Sequence, residues 1–235
     1  MDYLYLLLNL GSISIPFIFS FHPKLKFYKH YKYLGVGILV SMLIFIPWDV
    51  FFTIHGIWGF NEQYFSGIKI LHLPLEEWLF FICIPYACVF THYALLYYFP
   101  KMKIPKVLAQ RIGYLLVATC TAISLFNYDR WYTTINFLLG ALLTSLVLIK
   151  NTSLLQTYFI TFLVMLIPFF LVNGILTGSF IENEVVWYND NENLGIRLFT
   201  IPVEDTIYAF SLILLNLFVI KLLEKKQPYN INKAV

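Results

Sequence analysis

The chain has 235 residues, of which 60% are hydrophobic and 12% charged, and its mean hydropathy is +0.74. A soluble domain carries roughly 25% charged residues, so this composition excludes an ordinary soluble enzyme and predicts a polytopic membrane protein. Sixteen Lys and Arg against thirteen Asp and Glu give a net charge of +3. That balance fits loops facing anionic lipid and gives no reason to invoke nucleic acid.

Seven apolar runs follow one another, at about 3–21, 33–54, 75–99, 108–126, 131–149, 154–173 and 203–223. Each is near the length that crosses a hydrocarbon core of roughly 30 Å. No period-two alternation appears, so the expected fold is all-α with seven transmembrane helices. The N-terminus, Met1-Asp2-Tyr3, has no positive n-region, and the first run reads as a retained span. Thirteen Lys and Arg fall between runs one and two, three and four, five and six, and after run seven. Only Lys69, Arg130 and Arg197 fall on the other side. That asymmetry places the N-terminus outside and the C-terminus in the cytosol, in a cell (inner) membrane.

Run one holds Gly11, Ser12, Ser14 and Pro16, which suit close helix packing. Run two closes on Pro47-Trp48-Asp49, and His55 and His72 flank the loop beyond it. Run three opens with Pro74-Leu75-Glu76-Glu77-Trp78-Leu79-Phe80-Phe81. Proline fits the first turn of a helix, and acids there favour the N-terminal end of the helix dipole. Two adjacent carboxylates at the mouth of a membrane helix also mark a working site, because ionisable groups at that depth are costly. Run three continues through Pro85 and His92, the latter placed to bond a neighbouring helix. Run four lacks charge at its centre and reads as a spacer. Run six ends Asn173-Gly174-Ile175-Leu176-Thr177, and an acidic outer loop, 178–201, reads as a solvated loop or lid. Run seven opens with Pro202-Val203-Glu204-Asp205-Thr206-Ile207-Tyr208. Cys83, Cys88 and Cys120 all lie inside apolar runs without metal-type spacing, so neither a disulfide framework nor a metal site is expected.

The acid motif therefore occurs twice. Phe52–Ile57 aligns without gaps with Phe170–Ile175, and Pro74–Glu77 with Pro202–Asp205, leaving a loop ten residues longer in the second copy. The expected organisation is a first three-helix repeat over 1–105, a linking helix over 106–127, a second three-helix repeat over 128–226 and a cytosolic tail over 227–235. Both copies would enter the membrane from the same side, as parallel repeats. Forty-five aromatic residues make up 19% of the chain. Most suit interfacial belts and lipid-facing packing. Those beside the acids also suit carbocation chemistry, because ring faces attract a cation.

These motifs resemble the heterodimer-type lycopene cyclases: two Pro-x-Glu-(Glu/Asp) helix starts, a Trp-Asp before the first and an Asn-Gly-x-Leu-Thr before the second. The chain looks like the fused form, in which two three-span subunits are joined through an extra span. The resemblance implies cyclisation of the ψ-ends of lycopene, or of another linear carotenoid, to β-ionone rings, giving γ-carotene and β-carotene. It implies Glu76, Glu77, Glu204 and Asp205 as acid and base, without assigning which is which. Trp48, Asp49, Trp78, Phe80, Asn173 and Tyr208, in or beside the motifs, are the expected substrate-binding residues. No cofactor is expected, and no Gly-x-Gly-x-x-Gly element is present. Expected partners are linear carotenoids, membrane lipid and other carotenoid-pathway enzymes.

Other readings stay open at this point. A transporter with proton-carrying carboxylates fits the repeats, and related cyclases or hydratases act on C50 carotenoids. A retinal protein would need a lysine in the middle of run seven, where none stands; Lys221 lies at its end. A prenyltransferase would need more cations near its acids.

Overall fold

A computed structural model describes residues 3–226, without the side chains of Lys225 and Lys226. Met1, Asp2 and the tail expected over 227–235 lie outside the described residues. Six helices form where the apolar runs predict them: α1 (Leu4–Ser20), α2 (Tyr31–Ile54), α3 (Leu75–Tyr98), α4 (Lys106–Phe126), α5 (Trp131–Leu176) and α6 (Val203–Lys226).

Among the described residues, five helices are long and apolar enough to cross a membrane, and the chain is a membrane protein by that measure. The difference from seven runs has two sources. Helix α1 has 17 residues, just under the usual spanning length. Runs five and six are joined in α5, whose 46 residues meet a non-helical backbone at Asn151 (φ −157°, ψ 61°). At about 1.5 Å per residue α5 measures about 69 Å, more than twice the hydrocarbon core. It divides at Asn151 into segments 131–150 and 152–176.

Helix α6 is the hub. It packs against α2 and α5, and Leu212, Leu214, Leu217 and Ile220 on it are fully buried. Helix α4 lies on the outside of α5 and carries few buried residues. His92 bonds Thr161 of α5 at 2.8 Å, as expected of a histidine inside a run.

The connections are not featureless, which corrects the all-helical expectation. Six short strands form three antiparallel pairs: β1 (Trp58–Phe60) with β4 (Val186–Tyr188), β2 (Lys69–Ile70) with β3 (Leu73–Pro74), and β5 (Arg197–Leu198) with β6 (Ile201–Pro202). Strands of two or three residues are too short to show alternation, so periodicity missed them. Leu71 and His72, with φ of 50° and 68°, turn the β2–β3 hairpin, the backbone that two-residue hairpin loops require.

The same contacts recur at a fixed spacing of 128 positions. Leu75 N–H bonds the Ile68 carbonyl, and Val203 N–H bonds that of Ile196. Lys69 pairs with Glu62, and Arg197 with Asp190, each at 2.7 Å. Strands β1 and β4 pair reciprocally: Trp58 faces Tyr188, Gly59 faces Trp187 and Phe60 faces Val186. Asn61 N–H bonds the Val185 carbonyl, while Asn189 N–H bonds that of Ile57. Gly59 sits at the centre, where a Cβ would come within 2.3 Å of the Trp187 ring.

Two sequence-based expectations change. Helices α2 and α5 end at Gly56 and Gly178, both with positive φ, as helix-terminating glycines commonly are. Gly174, aligned with Gly56 by sequence, is inside α5. Gly56 precedes Asn61 by five positions and Gly178 precedes Asn189 by eleven, so the extra length in the second loop is six residues, not ten. That loop is also only partly solvated: Glu182, Glu184 and Asp190 are exposed, but Val185 is fully buried and Val186 nearly so.

Candidate active site

Helices α3 and α6 start directly after hairpins β2–β3 and β5–β6, which fixes where their first turns stand. Adjacent residues on a helix point about 100° apart, so the two acids of each motif face different surroundings. Glu76 accepts from the Ser66 backbone N–H at 2.8 Å. Glu204 accepts from the Leu194 N–H at 2.8 Å and from the Thr133 hydroxyl at 2.7 Å. Asn9 donates to the Glu76 carbonyl at 2.8 Å, and Asn136 to the Glu204 carbonyl at 2.6 Å. Glu76 and Glu204 thus tie each acid-bearing helix to its loop and, through the asparagines, to α1 or the first segment of α5.

Glu77 and Asp205 instead face a shared cavity of about 490 Å³. It is walled by α1, α3, the second segment of α5, and α6, and roofed by β1 and β4. Its lining is mostly apolar, with the two carboxylates at one end. Tyr5 of α1 donates to Glu77 Oε2 at 2.5 Å. Asp205 receives three donors: Tyr132 on Oδ1, and Asn173 at 2.7 Å and Tyr188 at 3.0 Å on Oδ2. Burial, and then the charge of Asp205, hold the Tyr188 phenol well above the usual tyrosine range, so it stays a neutral donor.

Aromatic faces surround this end. The Trp58 ring lies 5.4 Å from Tyr132, 5.9 Å from Tyr188 and 6.1 Å from Tyr208. Tyr132 and Tyr188 stack at 5.5 Å.

Of the sequence-predicted residues, Glu77, Asp205, Phe80, Asn173 and Tyr208 line the cavity, and Glu76, Glu204, Trp48, Asp49 and Trp78 do not. Asp49 is fully buried behind the wall and accepts from the Tyr208 hydroxyl at 3.2 Å. Trp48 stacks on Tyr208 at 5.6 Å. Trp78 donates to the Ile70 carbonyl at 3.2 Å, which braces the β2–β3 hairpin. His55 and His72 are exposed. Among the described residues no group of three or more His, Cys, Asp or Glu side chains could hold a metal ion.

Sequence reasoning missed Tyr5, Tyr132 and Tyr188, the phenols that hold the two cavity acids, and Asn9, Asn136 and Thr133, which hold the other pair. A signal was present. Tyr5 and Asn9, like Tyr132 and Asn136, are four positions apart, one face of a helix, and the spacing occurs in both runs one and five.

Fold and site together define a class: a polytopic membrane protein with a pair of carboxylates inside an aromatic-walled apolar cavity. The lycopene cyclase family matches residues 2–95 and 129–223, and the chain belongs to that family. The bifunctional lycopene cyclase/phytoene synthase of Pyrenophora tritici-repentis is 41% identical over 64 residues, which cover 26% of this chain and 10% of that protein. No solved structure matches the chain.

Proposed function

We propose that this chain cyclises the linear ψ-ends of lycopene to β-ionone rings, an isomerisation that yields γ-carotene and then β-carotene. The observation that carries the reading is the convergence of Glu77 and Asp205, one carboxyl from each acid-bearing helix, on one apolar cavity.

Glu77 is the acid and Asp205 the base. Donors to a carboxylate favour its charged form; Asp205 has three and Glu77 one. Glu77 protonates C2 of the ψ-end, which leaves a tertiary cation at C1. The C5–C6 alkene attacks C1, closes the ring and moves the cation to C5. Asp205 removes the C6 proton, and the C5–C6 double bond forms again. One proton enters and one leaves, so the step balances without oxidant or reductant. The faces of Trp58, Tyr132, Tyr188 and Tyr208 attract the cation, by about 0.5–2 kcal/mol each. Phe80 and Asn173 position the substrate. Asp49 and Trp48 support Tyr208 from behind, while Glu76 and Glu204 hold the helix starts in place.

The architecture we propose is seven spans, with α5 crossing twice by turning at Asn151, and two parallel three-helix repeats joined by α4. The contacts recurring at 128 positions and the reciprocal β1–β4 pairing support a pseudo-two-fold axis through Gly59 and Trp187. The lysine asymmetry supports an external N-terminus, a cytosolic C-terminus and a site at the outer face of the cell (inner) membrane. Lipid supplies the carotenoid, and neighbouring enzymes of carotenoid synthesis are the natural partners.

The test is the pigment of lycopene-producing cells that express the chain. Lycopene should give way to γ- and β-carotene, and in heavy water each ring should gain one non-exchangeable deuterium at C2. Unchanged lycopene in cells holding folded protein would end the reading.

A further inference from the structure

We infer that the seam between α1 and the second segment of α5 is where one end of a linear polyene enters from the lipid. The substrate then lies along α3 with its reacting end at Glu77 and Asp205, and a molecule with two ends must leave and turn round between cyclisations. The inference rests on the proposed function and adds the path and orientation of the substrate.

The cavity is elongated. On α3 its wall runs from Glu77 to Thr91, fourteen positions or about 21 Å at 1.5 Å per residue. On α5 it runs back from Leu176 to Phe162 over the same number. That length is well short of a hydrocarbon core of about 30 Å. Toward its inner end Phe162 and Met165 are buried in the main core, 8% and 3% exposed. A linear C40 chain with its end at the acids therefore extends beyond the slot, and the rest of it needs a way out.

Among the described residues, the exposed ones that line the cavity stand at the seam between α1 and α5. Leu7 and Ile15 line the cavity yet are 63% and 65% exposed, so the wall they form is also the outer surface. Gly11, between them on the same face, is exposed, and a Cβ added there would meet nothing within 4 Å. Opposite stand Pro168 and Phe169 of α5. The corresponding seam in the other half, between α2 and the first segment of α5, is filled. Phe45 and Phe52 are fully buried there, packed in one cluster with Tyr132 and Leu143.

A slot open to lipid along one edge, apolar inside and acidic at one end accepts a long unbranched-width hydrocarbon presented sideways. Both ends of the same molecule cannot reach the acids at once. The second cyclisation needs release, reversal and a second visit, and the one-ring product mixes with the lipid pool between them.

Two variants on α1 test the path. Gly11→Trp fills the open space; Leu10→Trp, next to it, points away from the cavity at a residue 51% exposed. Each is made in the active protein, and again with Glu77→Gln to hold the substrate unreacted. Lycopene co-purifying per protein is read by absorbance, and turnover in lipid vesicles by pigment chromatography. Gly11→Trp should lower both at least tenfold, while Leu10→Trp leaves both near the parent values and both proteins melt at the parent temperature. Normal turnover in Gly11→Trp would overturn the path, whatever the Glu77→Gln protein binds. Ring formation by Glu77→Gln itself would instead count against the acid assignment and leave the path standing. For orientation, added isotope-labelled monocyclic carotenoid should dilute into the bicyclic product. Bicyclic product free of label from the first turnovers would overturn the reversal.

Discussion

At the start of α3, Glu77 receives one hydrogen bond, from Tyr5, while at the start of α6 Asp205 receives three, from Tyr132, Asn173 and Tyr188. The scaffolds around them are nearly the same. Each helix follows a short hairpin, each is held by an asparagine on its second carbonyl, and each has a preceding glutamate bonded to a loop N–H ten positions back. The difference comes from two places. Asn173 stands at the end of α5, and Tyr188 stands in β4 where Phe60 stands 128 positions earlier in β1. A recurring frame holds the two carboxyls in matching positions, and two side chains on one side, Asn173 and Tyr188, give one of them its extra donors. That is the asymmetry the proposed acid and base require.

The largest effect should come from removing the two cavity carboxyls. General acid–base groups contribute about 10²–10⁴ in rate, so Glu77→Gln and Asp205→Asn should each lower β-ring formation by about that factor. Their products should differ. Glu77→Gln should leave lycopene untouched, because no cation forms. Asp205→Asn still permits protonation and ring closure, so the C5 cation should lose a different proton or take up water. Chromatography with mass detection would then find rings other than β, or a hydrated ring. If both variants leave only lycopene, the acid–base assignment fails.

Next in size are the acids outside the cavity. Glu76→Ala strands the Ser66 N–H, and Glu204→Ala strands both the Leu194 N–H and the Thr133 hydroxyl. A buried group left without a partner costs about 1–3 kcal/mol. Thermal melting in detergent should therefore fall in both, and further for Glu204→Ala. A full loss of turnover in either protein at unchanged melting temperature would move that residue into the chemistry.

How much of this was readable without coordinates follows from the kind of signal each part carries. Hydropathy marks the helices, and adjacent carboxylates at a proline-led helix start mark the candidate site, because both signals are local and chemically unusual. The separation of Glu76 from Glu77 was not readable, since it depends on which face of a helix meets which loop. Tyr5 and Tyr132 were hidden because a tyrosine in an apolar run looks like an interfacial anchor. The sequence alignment matched His55-Gly56-Ile57 to Asn173-Gly174-Ile175 on letters. The physical marker is the glycine that ends the helix with positive φ, and that is Gly178.

The phenols should have a smaller effect than the carboxyls they serve. A hydrogen bond to a charged group is worth about 1.5–3 kcal/mol, and each 1.36 kcal/mol in a barrier is tenfold in rate. Tyr5→Phe removes the single donor that stabilises Glu77 once it has given up its proton, so turnover should drop by about tenfold or more. Tyr188→Phe leaves Asp205 with two donors and should cost less than Tyr5→Phe. Steady-state turnover in vesicles ranks them, and the reverse order would undo the link between donor number and role.

The smallest effect separates the two hairpins. Glu62 is held below the usual carboxylate range by the hydrogen bond and charge of Lys69. At Asp190 burial pulls the other way, but hydrogen bonds from Arg197 and Asn193 and the charge of Arg197 win, and the carboxyl is again lowered. A lowered carboxyl adds stability that is present above its unfolded-state value and lost as pH falls through its folded-state value. Both pairs are exposed, so salt should screen them and the loss in acid should be slight. They differ in what else the cation touches. Arg197 also donates to the Thr200 carbonyl at 2.9 Å and lies 5.9 Å from the centre of the Tyr188 ring. Lys69 instead lies over Phe65, outside the cavity. Arg197→Ala should therefore loosen Tyr188 and lower turnover a few-fold, with the deficit unchanged by added salt because contact rather than charge is lost. Lys69→Ala should leave turnover at the parent level at any ionic strength. Equal losses in the two variants would show that the hairpins act alike and that Arg197 does not position Tyr188.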